Sequence, residues 1–203
     1  MTGDPLRHAS RHREGSTACG VTGGGADAFS PPDPPADFVF DREVETFLAV
    51  CRTASLATVG SGGLPHNANV QFAHGGGAAD GGGPFDLWWV SSPASDHSKD
   101  LAARAYAAVT VYAHADAPDQ IRGVQARGRV QPPLCPGDAG YAAALRRYVA
   151  KYPFAGGPPF NAAVARQGLY RFCPDWIRWI DNRRGFGWKV ERSLKGSAHP
   201  GFL

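Results

Sequence analysis

Leu87-Trp-Trp-Val-Ser-Ser92, Ser95-Asp-His-Ser-Lys-Asp-Leu101, Val109-Thr-Val-Tyr112 and Ile121-Arg-Gly-Val-Gln-Ala-Arg-Gly-Arg129 follow one another along a single stretch of the chain. The pattern reads as strand, helix start, strand, strand. Leu87 to Val90 are apolar and rich in β-formers, which suits a buried strand. Ser91 and Ser92 break that run, and Pro93 suits a turn. Ser95 is the candidate N-cap of a short helix reaching Arg104, with Asp96 in its first turn. The hydroxyls of Ser91, Ser92, Ser95 and Ser98, the imidazole of His97 and the ammonium of Lys99 therefore crowd a helix start. Free N–H groups and the positive end of the helix dipole point to the same place, which is how chains hold phosphate.

Outward from that stretch, the chain punctuates itself. Residues 1–37 are polar and rich in Gly, Pro, Ser and Arg, too poor in apolar surface to offset chain entropy, so a disordered leader is expected. Gly20-Val-Thr-Gly-Gly-Gly25 within it has neither a strand before it nor a helix after it, so it is no dinucleotide fingerprint. Asp41 is the expected cap of a helix carrying Val44, Phe47, Leu48 and Cys51 at helical spacing. Strands are expected over residues 54–59 and 64–72, joined by a Ser61-Gly-Gly63 turn. In the second, Asn67, Asn69 and Gln71 alternate with Ala68, Val70 and Phe72, which turns one face to water or a ligand. Residues 73–84 read as a mobile loop with a solvated His74. Further strands are expected at 85–92, 106–113 and 120–131, with Gly123 and Gly128 marking a bend or bulge. A helix starting at Asp138 then carries Tyr141, Ala144, Leu145, Tyr148 and Val149. Two last strands, 169–173 and 176–180, flank Pro174-Asp175, and residues 191–203 read as a flexible tail. Six or seven meander-connected strands with turn signals at short intervals give a mainly β, α+β fold: an antiparallel split β-barrel with covering helices. Residues 38–190 form its domain.

Composition bounds the function. A net charge of +3 over 203 residues supports no long nucleic-acid footprint, and no aromatic-basic stripe argues for single-strand binding. Cys19, Cys51, Cys135 and Cys173 show no paired spacing and no matching histidines, so no metal site is expected, and reduced thiols point to the cytoplasm. No apolar run reaches membrane-spanning length.

Taken together, Ser-Pro-x-Ser-x-His-Ser-Lys-x-Leu after a strand, Ala-Val-Thr-Val-Tyr, Ile-Arg-Gly-Val-Gln-x-Arg-Gly and the ending Trp-Ile-Asp-Asn-x-x-Gly-Phe-Gly-x-Lys resemble the pyridoxamine 5′-phosphate oxidase-like flavin-binding split barrels, and the ending resembles one bacterial branch of them. The resemblance implies a homodimer holding FMN between subunits, with a small-molecule substrate and no nucleic-acid or membrane partner. It puts the phosphate at Ser91, Ser92, Ser95, His97, Ser98 and Lys99. His97 falls where many members carry Lys or Arg; a neutral imidazole donates one bond without charge, and a bound dianion would raise its pKa. Asn69, with Asn67 beside it, lies on the strand that lines the isoalloxazine in relatives, and Gln125 and Arg127 lie on the strand that crosses toward the interface. Trp88 and Trp89 must face opposite ways. Asp181, Asn182 and Lys189 are the candidates for a segment closing over the partner's site. The Trp-x-x-Arg-Leu ending that holds pyridoxal phosphate in true oxidases is missing, which argues against vitamin B6 synthesis. The functions left open are a flavin-dependent oxidoreductase and a non-catalytic carrier of FMN, a deazaflavin or haem.

Overall fold

The computed structural model describes residues 32–77 and 81–194. Residues 1–31 of the expected leader, with the Gly20 motif, and 195–203 of the expected tail lie outside them. The described chain runs α1 (Phe40–Val50), β1 (Thr53–Val59), β2 (Pro65–Gln71), β3 (Ala73–His74), β4 (Leu87–Ser91), α2 (Asp96–Ala103), β5 (Tyr106–Tyr112), β6 (Arg122–Leu134), α3 (Tyr141–Lys151), α4 (Phe160–Val164), β7 (Gly168–Asp181) and β8 (Lys189–Ser193). The strands form one antiparallel curled sheet in the order β2-β1-β5-β6-β7-β4-β3, with β8 added to β7.

Period-2 alternation sorts the two faces. Ala54, Leu56, Val70, Val109, Val111, Val124, Ala126, Ile177 and Trp179 point into the main core, where α1 lays Val44, Phe47 and Leu48. Both indoles of the Trp88-Trp89 pair are buried, on opposite sides. Trp89 stacks on Tyr170 at 5.5 Å in the main core, while Trp88 joins Tyr141, Ala144 and Leu169 in a second cluster.

Several boundaries differ from the sequence reading. Residues 168–181 form one strand rather than two. β6 pairs β7 along its length, while β7's other edge passes from β4, up to Phe172, to β8, from Trp176 onward. Pro174 sits at that handover, where a missing N–H costs no ladder bond. A register shift between Arg127 and Gly128 marks a bulge there. Gly128 is required: a Cβ on it would lie 2.2 Å from the Cys173 carbonyl oxygen. β8 carries pairing to Ser193, three residues into the expected tail. Val39, not Asp41, is the N-cap of α1, and Asp41 pairs with Arg192. Gly140, not Asp138, is the N-cap of α3. His74 is no solvated loop residue. It pairs opposite Leu87 in β3, and burial, with the charges of Lys151 and Arg147, pushes its imidazole down to about 4.

Candidate functional site

β4 ends at Ser91, and the chain turns through Ser92, Pro93 and Ala94 into α2. Ser95 is the N-cap residue by position, but its side chain does not cap the helix. Its one O–H donates instead to the Ser92 carbonyl at 2.8 Å, and its oxygen accepts from the Ser98 hydroxyl at 2.8 Å. His97 Nε2 folds back to lie 2.6 Å from Ser91 Oγ and 3.2 Å from Ser95 Oγ. Ser92 Oγ accepts from Ala94 N. Three hydroxyls and an imidazole thus form one connected cluster, with Ser98 its buried end.

Burial, and then the neighbouring His66, push the His97 imidazole below its ordinary value, while Asp100 and Asp96 pull it up. The ring is therefore chiefly neutral near pH 7. Lys99 is exposed and pairs with Asp96 at 3.4 Å. The donor set is rich in hydroxyls and imidazole, carries one ammonium, and opens on a helix start with no side-chain cap. That chemistry fits a phosphate ester, with the Asp96 carboxylate as the one opposing group. Beside the turn, a hollow of about 600 Å³ lies between the β1–β2 connection and α2, with Lys99, Asp100, His66 and Arg104 among its walls.

The other candidates lie on the outer face of the sheet, and the register joins them. Asn69 pairs opposite Ser55, Ser55 opposite Thr110, Thr110 opposite Gln125, Gln125 opposite Arg178, and Arg178 opposite Glu191. The next row runs Asn67, Ala57, Ala108, Arg127 and Trp176. Asn67, Asn69 and Arg127 are exposed and Gln125 half-buried. Gln125 and Arg127 do not stand alone: Arg178 donates to Gln125 Oε1 at 3.1 Å, and the Trp176 ring carries Arg127 at 5.1 Å and Arg178 at 4.9 Å. Asn69 and Gln125 are three strand spacings apart, about 14 Å. Among the described residues no hydrogen bond links this face to the Ser91–Lys99 turn, so the fold makes two polar patches from the predicted set.

Arg178 and Trp176 were not in the sequence-derived set, and neither were His66, Asp100 and Thr58. His66 Nδ1 lies 3.0 Å from Asp100 Oδ2, which also accepts the buried Thr58 hydroxyl at 2.7 Å. The hydrogen bond from Thr58, then that with His66, hold the Asp100 carboxyl below its usual range. Nothing local in the sequence announces this group, because its members lie on two strands and a helix.

The proposed closing segment has internal work. Asp181 is wholly buried and pairs with Arg183 at 2.7 Å and Arg184 at 3.5 Å. Asn182 Nδ2 donates to the Pro118 carbonyl, and its Oδ1 accepts from Gly187 N. The Trp188 indole donates to the Pro32 carbonyl. Of the three candidates there, only Lys189 is exposed.

This curled sheet, with a polar strand-to-helix turn between β4 and α2, has counterparts. A family profile for pyridoxamine 5′-phosphate oxidase matches residues 40–178, from the start of α1 into β7. The chain belongs to the pyridoxamine 5′-phosphate oxidase family. The sequence reading placed it there from its motifs. Among solved structures, a haem-binding protein from Mycobacterium smegmatis aligns with a TM-score of 0.59 and 18% identity over 75% of this chain and 57% of that one. A conserved hypothetical protein from Mycobacterium tuberculosis aligns at 0.59 with 21% identity, over 83% of this chain and all of that one. HutZ, the haem storage protein from Vibrio cholerae, aligns at 0.52 with 13% identity over 66% of this chain and 88% of that one. At these identities the likeness is one of fold. No curated protein matches at the level of sequence. No group of His, Cys, Asp and Glu among the described residues is arranged to hold a metal ion, and no helix among them is long and apolar enough to cross a membrane.

Proposed function

We propose that the protein is a flavin oxidoreductase that holds FMN by its phosphate at the Ser91–Lys99 turn and works on a small molecule. The observation that carries this reading is the cluster of Ser91, Ser95, His97 and Ser98, bonded to one another at an uncapped helix start. Ser91, Ser92, Ser95 and Ser98 supply hydroxyls, His97 a ring N–H, and Lys99 a charge from the exposed side. Flavin supplies the electron transfer, so the protein's part is position and electrostatics.

The outer face is the proposed dimer contact. Its Asn69 row and its Gln125, Arg127 and Arg178 cluster meet a second copy there, and Asn69 with Gln125 and Arg127 reaches polar edges of the ring system. The small side chains of Ser55, Ala57, Ala108 and Thr110 between them leave a flat floor for the approach. Free thiols at Cys51, Cys135 and Cys173 suit a reducing, cytoplasmic setting.

The absorbance spectrum of the protein as purified tests the reading. A flavin spectrum bleached by NADH or NADPH supports an oxidoreductase. Flavin that stays oxidised with every reductant indicates a carrier, and a deazaflavin spectrum or a haem Soret band replaces FMN outright.

A further inference from the structure

We propose that His66 is an acid–base group, oriented by Asp100, for a small organic anion bound in the hollow between the β1–β2 connection and α2. The inference rests on the flavin reading only for what such a proton transfer would serve; its geometry stands by itself.

Asp100 Oδ2 faces His66 Nδ1 at 3.0 Å. An ionised carboxylate only accepts, so this contact keeps the proton on Nδ1 and the lone pair on Nε2. Asp100 is fixed in turn by the buried Thr58 hydroxyl at 2.7 Å. A base whose far nitrogen is held by a carboxylate, itself held by a third group, has its tautomer and ring direction set before a ligand arrives. His66 Nε2 makes no hydrogen bond among the described residues, and the half-exposed ring forms part of the wall of the hollow of about 600 Å³.

The charges around the hollow choose the ligand. α2 contributes Asp96, Lys99 and Asp100, with His97 close behind, and Arg104 follows at its C-cap. Asp96 is taken up by Lys99, and Asp100 by His66 and Thr58. The β1–β2 side brings His66 itself and otherwise only the uncharged residues 59–65. Arg104 is left without an ionic partner among the described residues, so the hollow offers one unspent cation and one unspent base. A molecule with a carboxylate or phosphate for Arg104 and a hydroxyl for Nε2 matches both. The step is a proton transfer: the ligand's O–H breaks with its electron pair left on the oxygen, an Nε2–H bond forms, and the new imidazolium is flanked by that oxyanion at Nε2 and by the Asp100 carboxylate at Nδ1. The reverse transfer restores both partners.

Diethyl pyrocarbonate acylates the unprotonated ring nitrogen, and peptide mass spectrometry of the full chain reads each histidine separately. We expect D100N to slow acylation of His66 several-fold while leaving exposed His114 unchanged. T58V, which loosens Asp100 without removing it, should give a smaller slowing, so the test survives if D100N folds poorly. Glycolate, a small hydroxy acid used as the probe, should protect His66 but not His114, and R104A should remove that protection. Equal acylation of His66 in wild type, T58V and D100N, or no protection by glycolate in wild type, overturns the proposal. A protein that passes but purifies without flavin refutes the flavin reading and leaves the dyad standing; a yellow protein that fails does the reverse.

Discussion

Replacing Ser95 and Lys99 together by Ala gives the most direct reading of the phosphate turn. The two side chains are not equal contributors. Ser95 is half-buried and its one O–H is spent on the Ser92 carbonyl, so donating to a phosphate means exchanging that bond for a charge-assisted one, a net gain of about 1 kcal/mol. Lys99 is exposed, is partly committed to Asp96 at 3.4 Å, and works in water, so its share is under about 1 kcal/mol. The sum, about 1–2 kcal/mol, is a weakening of FMN binding of about 5- to 30-fold. Fluorescence titration with FMN measures it, and riboflavin is the control, because it carries the same ring without the phosphate. The double variant should lose FMN affinity by that factor and keep its riboflavin affinity. Equal losses for the two ligands would mean the turn shapes the ring site and does not hold phosphate. Unchanged FMN affinity would remove the phosphate from the turn altogether.

Three further outcomes follow from the same structure. His97 is held below its ordinary pKa in the free protein and would be raised by a bound dianion, so binding takes up a proton; FMN affinity should rise as pH falls from 7 toward the ligand's own second ionisation, and H97A should flatten that slope in the same titration. G128A drives a Cβ into the backbone at Cys173 and Pro174, at a cost of about 3 kcal/mol, which should lower the midpoint of a thermal melt by roughly 6–12 °C; an unchanged midpoint would deny the close approach of β6 and β7. Burial raises the Asp181 carboxyl, but the hydrogen bonds and charges of Arg183 and Arg184 outweigh it and leave it below the usual range. Its stabilisation is therefore present above the unfolded carboxylate value and lost as pH falls through the folded one. D181A should cost about 2 kcal/mol near pH 7, discounted for the half-exposed Arg183, and denaturant melts should show the difference shrinking in acid.

Local signals carried far. Alternation in residues 65–71 and 122–131, the Ser61-Gly-Gly63 turn and the run of hydroxyls from Ser91 to Ser98 are written in adjacent residues, and the fold follows them. What the sequence hid depends on partners distant along the chain. Pro174-Asp175 looks like a break between strands; it is the point where one strand changes neighbours, which no window of ten residues contains. Asp41 and Asp138 look like caps because their type and spacing are right, yet Arg192 engages the first and the Cys135 amide the second. The site divides the same way. The turn was legible because it is contiguous. The His66–Asp100–Thr58 group was not, and the cluster of Arg178 and Trp176 with Gln125 and Arg127 needed the β6–β7 register to appear.

The exchange of neighbours along β7 has a consequence for handling the protein. β8 is a short strand studded with Lys189, Glu191 and Arg192, side chains that discourage a further strand from adding to it. Trimming the chain back to Trp188 would leave the lower half of β7 zipped to β4 but lay bare the backbone amides and carbonyls of its upper half. That raw margin, carrying Trp176 and Ile180, is the kind of surface on which chains add to one another, so the shortened protein should clump more readily than the intact one.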